Sequence, residues 1–308
     1  MLRHLTHRFT LILTLLIGPG FGRIAAAAAP HFEGTFTSPS LCSARGIALS
    51  PSGDVFVGSD CGGPGHHMEH FTAAGALVGT WGFLLSGYLG PPNGVALDAL
   101  GRVFVTDCDG NHVDKYSSSG ALLGGIRTAS GPVDVAVNAS GEVLVAALYG
   151  PQVQKFSSNG SLLATIGSAG DGPGQYQSPH GITVDASGRI YVADGDRRRI
   201  LRFLADGSFD MEFATEIGPD DVGVGPDGTI YVVGFYSGTV YQYSSSGALL
   251  LSFTSPLGLY EPYRIAISPD GVIFITEQES RTRITKFQID LATPAMRTTF
   301  GRLKAIYR

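Results

Sequence analysis

Several features on which other protein classes depend are missing from this sequence. It contains no phosphate loop, no nucleophile-elbow motif and no Cys-x-x-Cys pair, so nucleotide chemistry and nucleophilic catalysis lack support. Beyond the first 29 residues no stretch approaches eighteen consecutive apolar residues, so no transmembrane helix is predicted. Helix-period patterns are nearly absent, which favours an all-β protein.

The first 29 residues have the pattern of a secretory signal peptide. Arg3, His4, His7 and Arg8 precede an apolar run over residues 9–17, and residues 25–29 are alanines that offer a small-residue cleavage site. The apolar run is too short to span a bilayer as a stable helix. We therefore expect an exported protein, located in a periplasm, at a cell surface or outside the cell.

An excess of positive charge is also missing. The formal net charge of −5 becomes −8 when Arg3, Arg8 and Arg23 leave with the predicted signal peptide, since that segment contains no acid. An acidic surface repels nucleic acids, because their affinity for proteins comes largely from Lys and Arg that neutralise phosphates. No nucleic-acid partner is expected, and the mature chain is expected to be a soluble monomer.

The sequence is rich in glycine, with 43 residues, and in short strands separated by glycine turns. The stretch from Ser178 to Gly207 predicts three strands, at 182–184, 190–193 and 200–203, and a fourth follows at 209–213. Turns at 185–188 and 206–207 each supply a glycine for a positive φ. The segment therefore predicts one four-stranded antiparallel meander.

The chain contains six copies of this meander. The first strands begin near residues 46, 94, 134, 181, 221 and 264, and each third strand ends on an aromatic residue: Phe71, Tyr116, Phe156, Phe203, Tyr243 and Phe287. A single meander cannot bury both faces, and repeated sheets can close radially and leave only short, protected edges. The sequence therefore predicts an all-β, six-bladed β-propeller of four-stranded antiparallel blades over residues 30–294.

The repeated pattern resembles the NHL repeat. The resemblance rests on Pro-x-Gly-Ile-x-Val-Asp-x-x-Gly-x-Ile-Tyr-Val-Ala-Asp in the fourth copy, followed by a polar turn with Arg, and covers about residues 40–290. Three copies depart from it, because Asp134, Asp221 and Arg264 replace the glycine of the first strand. The resemblance implies a propeller that binds ligands, and some members bind RNA, which the acidic charge does not favour here.

Two segments compete to complete the ring. Residues 32–36 resemble the fourth strands of other copies, and residues 295–300 are a second candidate, within a C-terminal segment 295–308 that is either a closing strand or a basic tail. The three cysteines are Cys42, Cys61 and Cys108. Pairing Leu49 with Val55 brings Cys42 within one residue of the position opposite Cys61, so a Cys42–Cys61 disulfide is geometrically reachable.

Propeller topology predicts where a binding site lies. In each blade the first strand starts, and the second strand ends, on the face where the central channel opens, here called the channel-mouth face. Residues at the six inner-strand starts should converge there: Arg45, Asn93, Asp134, His180, Asp220, Asp221, Tyr263 and Arg264. A basic cluster, Arg197 to Arg199, follows a second strand on the same face and could clamp a carboxylate or phosphate.

Metal chemistry at this face is the alternative to simple binding. Peptidyl-hydroxyglycine amidating lyases, which also resemble NHL propellers, hold zinc with histidines at several inner-strand starts, whereas only His180 matches here. Gluconolactonase-like propellers use acidic and Asn ligands, which Asn93, Asp134, Asp220 and Asp221 could mimic. His180 and Asp220 are the candidate ligands for calcium or zinc, and no cofactor is otherwise expected. Residues 66–70, with three histidines and Glu69, form a further candidate for a transition metal.

Two functional hypotheses follow. The first is an exported propeller that binds a protein, peptide or glycan at its channel-mouth face without catalysis. The second is a metal-dependent lyase or lactonase with its site at the propeller axis. The small number of histidines at the inner-strand starts favours the first hypothesis.

Overall fold

A computed structural model describes residues 29–62, 65–82, 91–129, 131–149, 152–278 and 282–291. The predicted signal peptide, apart from Ala29, and the C-terminal segment 295–308 lie outside these residues. In the described ranges all regular structure is β-strand, and no helix is long and apolar enough to cross a membrane.

Six four-stranded antiparallel sheets form the structure, as predicted. The chain opens with β1 (His31–Phe36). Blade 1 contains β2 (Ala44–Leu49), β3 (Val55–Ser59), β4 (His67–Phe71) and β5 (Leu77–Gly82), and blade 2 contains β6 (Val95–Leu97), β7 (Val103–Asp107), β8 (His112–Tyr116) and β9 (Leu122–Arg127). Blade 3 contains β10 (Pro132–Val137), β11 (Val143–Ala147), β12 (Gln152–Phe156) and β13 (Leu162–Ile166).

Two short strands, β14 (Ser168–Ala169) and β15 (Gln175–Tyr176), pair in parallel between blades 3 and 4. Blade 4 contains β16 (Pro179–Val184), β17 (Ile190–Asp194), β18 (Arg199–Phe203) and β19 (Phe209–Ala214). Blade 5 contains β20 (Asp221–Val224), β21 (Ile230–Val233), β22 (Val240–Tyr243) and β23 (Leu249–Phe253), and blade 6 contains β24 (Pro262–Ile267), β25 (Val272–Glu277) and β26 (Arg283–Gln288).

The N-terminal strand closes the ring. β1 pairs antiparallel with β26, with Phe32 opposite Phe287 and Phe36 opposite Ile284, so it is the outer strand of blade 6. Of the two segments that the sequence offered for this position, residues 32–36 therefore occupy it. Joining strands from opposite ends of the chain makes blade 6 depend on a long-range contact, which the chain must order at an entropic cost.

Hydrophobic clusters between neighbouring blades hold the ring together. Among the described residues, buried side chains form six clusters, and each lies across one of the six blade interfaces. The aromatic residues that end the third strands are at most 3% exposed in all six blades. Blade faces that cannot be buried alone are thus buried against each other, and the apolar area removed from water stabilises the closed ring.

Candidate functional site

The centre of the channel-mouth face is crossed by Arg264, which is only 3% exposed. Its guanidinium donates hydrogen bonds to three backbone carbonyls: Asn93 O at 3.0 Å, Asp220 O at 2.8 Å and Val133 O at 2.8 Å. These carbonyls belong to the segments that begin the inner strands of blades 2, 5 and 3. One side chain from blade 6 therefore ties three other blades together at the axis.

Two buried carboxyl groups lie beside Arg264. Asp134 accepts a hydrogen bond from the Ile182 N–H at 2.8 Å, and Asp221 accepts one from the Ile265 N–H at 2.9 Å. Burial raises the pKa of both carboxyls, repulsion from Asp134 raises the pKa of Asp221 further, and Arg264 opposes these shifts. We call Asp134, Asp221 and Arg264 the axial lock.

The axial lock occupies positions that the sequence assigned to ligand binding. Asp134, Asp221 and Arg264 converge with the other inner-strand starts, are 5%, 4% and 3% exposed, and bind the backbone of neighbouring blades. The hydrogen bonds of these three side chains thus hold the ring together, and their contact with a ligand stays a prediction.

The glycines of the repeat explain how these side chains fit. A Cβ on Gly94 would lie 2.5 Å from the Asp134 Cα, and a Cβ on Gly181 would lie 2.4 Å from Asp221 Oδ1. The copies that depart from the repeat pattern thus place their Asp against a copy that keeps its glycine. Close approach of neighbouring backbones requires the glycine at these two positions.

One half of the open mouth is formed by Arg45, Asn93 and Tyr263. Arg45 donates to Asp60 Oδ2 at 2.8 Å and to Asn93 Oδ1 at 3.2 Å. The Tyr263 ring lies 5.4 Å from the Arg45 guanidinium carbon and 4.6 Å from that of Arg264, so both cations contact the ring. These three residues are half-buried and remain partly accessible from the mouth.

The other half contains His180 and Asp220. His180 Nδ1 lies 3.2 Å from Asp220 Oδ1, and His180 Nε2 lies 2.9 Å from Ser178 Oγ. Asp220 Oδ2 also accepts a hydrogen bond from the Phe235 N–H. In the part of the chain that the structure describes, no group of three or more His, Cys, Asp or Glu side chains could hold a metal ion. His180 and Asp220 thus meet as expected, but two ligands do not make a complete zinc site.

The basic cluster does not act as a unit. Arg199 forms ion pairs with Asp194 and Glu212 and donates to Gln175 O at 2.7 Å, which holds the linker before blade 4. Arg197 pairs with Asp171, and only Arg198 is exposed without an ion pair. Blade 6 repeats the structural pair with Glu277 and Arg283.

The histidine-rich segment is mostly strand and not loop, because β4 begins at His67. Its side chains also separate. His67 Nε2 lies 3.1 Å from the buried Glu69 carboxylate, whereas His70 stacks on Phe56 with ring centroids 4.2 Å apart. Hydrogen bonds from Ser38 and Ser40 reach the same Glu69. The segment therefore anchors the chain between β1 and β2 and does not gather a metal-ligand set.

The same connection contains the cysteine pair. The structure joins Cys42 and Cys61 by a disulfide, and Cys108 is a free, half-buried thiol. Burial raises the pKa of Cys108, and the charges of Asp109 and Asp107 add to this shift. Leu49 pairs with Val55 as expected, and a bulge between Ala44 and Ile47 shifts the register toward the cysteines.

The His67–Glu69 pair predicts a pH dependence of stability. The hydrogen bond to Glu69 raises the pKa of His67 above 6.5; burial opposes ionisation of Glu69, but hydrogen bonds from His67, Ser38 and Ser40 outweigh it and lower the pKa of Glu69 below 4.5. The contribution of His67 to the free energy of unfolding is complete below pH 6.5 and is lost as pH rises through the raised pKa of His67. The contribution of Glu69 is complete above pH 4.5 and is lost as pH falls through the lowered pKa of Glu69.

We therefore expect the stability difference between the wild type and His67→Gln to be largest between about pH 4.5 and 6.5. Thermal unfolding of both proteins from pH 3.5 to 9 would measure it. A difference that does not change with pH would contradict an ionised pair.

Two cavities lined by described residues bear on this face. The first, about 280 Å³, is the central channel, lined by the inner strands of all six blades and by the axial lock at its mouth end. The second, about 470 Å³, lies between blades 4 and 5 on the channel-mouth face. We call it the blade 4–5 pocket. Its lining is Gly195, Asp196, Arg198, Glu216, Ile217, Gly218, Gly234, Tyr236 and Ser237.

Sequence reasoning placed Arg198 on this face, together with the loops 194–199 and 234–238 that follow the second strands of blades 4 and 5, but it did not name Glu216, Ile217 or Gly218 and did not single out Tyr236. Glu216 and Ile217 lie in the connection before blade 5, and Tyr236 follows its second strand. Tyr236 is 95% exposed, which no hydrophobic pattern in the sequence reveals. A comparison of the loops after the second strands would have singled out the aromatic residue at this position.

Comparisons with known proteins agree with this architecture. A family model described as a 6-bladed beta-propeller matches residues 139–247. NHL repeat-containing protein 3 from Mus musculus is 40% identical over 72 residues, and the protein of that name from Homo sapiens is 39% identical over the same length. Each alignment covers 22% of this chain, and the chain spans about a fifth of the length of these relatives.

Solved structures show the same fold at low sequence identity. A streptogramin B lyase superposes with a TM-score of 0.62 and 17% identity, over 83% of this chain and 86% of that chain. Virginiamycin B lyase from Staphylococcus aureus gives a TM-score of 0.60 and 14% identity, over 79% of each chain. Together with the six registered repeats, these matches identify this chain as a six-bladed β-propeller, and its sequence is similar to NHL repeat-containing proteins.

Proposed function

We propose that this propeller is an exported binding module that recognises a protein, peptide or glycan ligand at its channel-mouth face. The observation that carries the proposal is the exposure of three tyrosines on loops of this face: Tyr236 is 95% exposed, Tyr149 65% and Tyr260 41%. Tyrosine offers a large apolar surface and a hydroxyl at a small cost in conformational entropy, and it is enriched at binding interfaces. The three residues come from blades 5, 3 and 6 and surround the axis.

The buried charges support binding more than chemistry. The axial lock occupies the centre of the mouth, and its three side chains bind backbone groups of the ring. A ligand would therefore rest on the loops around the axis, where side chains remain accessible. The tyrosines, Arg45 and Asn93 are candidates for its contacts.

Replacing a mouth-face tyrosine should weaken the ligand without destabilising the ring. We expect Tyr149→Ala and Tyr260→Ala each to lower affinity by about fivefold to thirtyfold, corresponding to about 1–2 kcal/mol, with melting temperatures near that of the wild type. Immobilised protein would capture ligands from the exported fraction of the source cells, quantified by mass spectrometry. Leu100→Ala is the matched control, because Leu100 is 78% exposed in a turn of the opposite face. A ligand that depends on Leu100 and not on the tyrosines would move the site to that face.

Export is part of this proposal. β1 begins at His31, so removal of residues 1–29 would leave the closing strand intact. A disulfide also suits an oxidising compartment. N-terminal sequencing of exported protein should begin near Pro30; full-length protein retained in the cytoplasm would contradict export.

A lyase or lactonase activity is the second candidate. The likeness in fold to the streptogramin B lyases and the His180–Asp220 pair at the mouth favour it. Elemental analysis of wild type and His180→Ala after mild chelator washing would test for a divalent ion, and liquid chromatography with mass spectrometry would test turnover of quinupristin, which one of the solved lyase structures contains. An ion that disappears with His180, or turnover, would favour this candidate over simple binding.

A further inference from the structure

The loop after the second strand of blade 4 contains a backbone conformation that its residue does not favour. Arg198 has a φ of +49°, in the left-handed region where glycine and asparagine are preferred. Blade 2 has the same loop, and there the corresponding residue is Asn111, with a φ of +55°. The two loops share their backbone contacts: Thr128 N–H donates to Asn111 O, and Thr215 N–H donates to Arg198 O.

The side chains of Asn111 and Arg198 make different contacts. In blade 2, Asn111 Oδ1 accepts a hydrogen bond from the Gly131 N–H at 2.8 Å and so closes the gap to the next linker. The corresponding glycine after blade 4 is Gly218, and no described residue accepts a hydrogen bond from its N–H. Arg198 instead lines the blade 4–5 pocket. An unfavourable backbone conformation whose side chain makes no hydrogen bond or ion pair within the protein is a signal of function.

The charged residues of the pocket make no side-chain contacts that would explain them as structural residues. Asp196, Arg198 and Glu216 are exposed, and their side chains form no hydrogen bond or ion pair with any described residue. In contrast, the neighbouring Arg197, Arg199 and Arg202 all form ion pairs. The pocket volume of about 470 Å³ lies within the range of small-ligand sites.

We propose that the blade 4–5 pocket binds an acidic saccharide, such as a uronic-acid unit, which deepens and rests on the proposed binding function of the mouth face. The Arg198 guanidinium matches a ligand carboxylate with two parallel hydrogen bonds. The carboxylates of Asp196 and Glu216 accept hydrogen bonds from ligand hydroxyls, since ionised carboxylates are acceptors only. The exposed ring of Tyr236 packs against the apolar face of the sugar ring.

A saccharide fits these groups better than an acidic peptide does. Two unpaired carboxylates would repel a second acidic side chain, whereas neutral hydroxyls are donors for them. The open Gly218 N–H adds a donor for a ligand oxygen. A sugar that carries one carboxylate and several hydroxyls therefore satisfies each unused group of the pocket.

Isothermal titration calorimetry with the monosaccharide galacturonate, which carries one carboxylate, tests the proposal. We expect wild type to bind it, and neutral galactose to bind at least about tenfold more weakly. Arg198→Asn gives this loop the side chain of blade 2, so it should weaken galacturonate binding about tenfold or more without lowering the melting temperature. Tyr236→Ala should weaken it about fivefold or more. Arg197→Ala is the matched control, because Arg197 pairs with Asp171 away from the pocket, and it should bind within about twofold of wild type.

The failures are distinguishable. Absence of galacturonate binding, equal binding of galactose, or a stronger affinity for an acidic tripeptide would overturn the saccharide and leave the mouth-face function to its own test with Tyr149 and Tyr260. Binding that is insensitive to Arg198→Asn and Tyr236→Ala but lost in Arg45→Ala would overturn the pocket and retain the mouth face. Binding that is insensitive to all three would overturn both.

Discussion

Arg264→Ala should destabilise the protein by about 3–5 kcal/mol, the usual cost of removing one partner from a buried ion pair. The variant leaves the carbonyls of Asn93, Val133 and Asp220 without their donor. It also leaves the Asp134 carboxyl, which lies 4.0 Å from Arg264 Nε, buried without its ion-pair partner. Urea unfolding followed by tryptophan fluorescence and circular dichroism would measure the loss.

Two further variants sharpen this result. Arg264→Lys keeps the charge but offers one ammonium in place of the planar guanidinium. Its free energy of unfolding should therefore lie between those of the wild type and Arg264→Ala. Arg197→Ala is the control, since Arg197 pairs with Asp171 at the surface, with side chains 41% and 62% exposed, and its loss should cost no more than about 1 kcal/mol. If Arg264→Ala stays within that range as well, Arg264 does not lock the axis.

Replacing both Cys42 and Cys61 with serine should lower the free energy of unfolding by about 3 kcal/mol. The disulfide joins residues 19 apart in the sequence, and closing this loop reduces the number of conformations open to the unfolded chain. For a domain of this size the loss corresponds to a melting temperature lower by roughly 6–12 °C. The disulfide anchors the connection between β1 and β2, so the loss should be concentrated at the ring closure. Cys42 N–H also donates to Ser59 Oγ in the same connection.

Amide hydrogen exchange would locate the effect. In the double-serine variant the exchange of β1 and β26 should rise more than that of blades 3 and 4. Cys108→Ser is the control, because Cys108 has no disulfide partner. A double variant as stable as this control, with unchanged protection of β1, would show that the disulfide does not support the closure.

The fold was predictable because its signals are local. In each blade the strands are short runs of β-branched and aromatic residues between glycine turns. Because the six copies keep the same order, the sequence predicted the strand positions and the number of blades. The aromatic residues that end the third strands marked the same position in every copy and so fixed the register of the repeat. Which segment closes the ring could not be read, because residues 32–36 and 295–300 have similar patterns and only the pairing of β1 with β26 distinguishes them.

The candidate site was predictable only in outline. The inner-strand starts converge on one face, and His180 meets Asp220 there, because propeller topology fixes both positions. The sequence did not show that Asp134, Asp221 and Arg264 are buried, since their partners are backbone groups of other blades. It also did not show the pocket beside Arg198, which depends on a φ angle and on two loops from different blades.

The sequence by itself therefore determined the repeat, the number of blades and the face on which the strand ends gather, because these follow from local strand and turn preferences. Only the tertiary structure decided which charged residues became structural and which stayed accessible. The physical reason is that burial and hydrogen bonding are set by contacts between blades. Gly94 accommodates Asp134, and Gly181 accommodates Asp221, only when neighbouring blades pack face to face and bring their inner strands together.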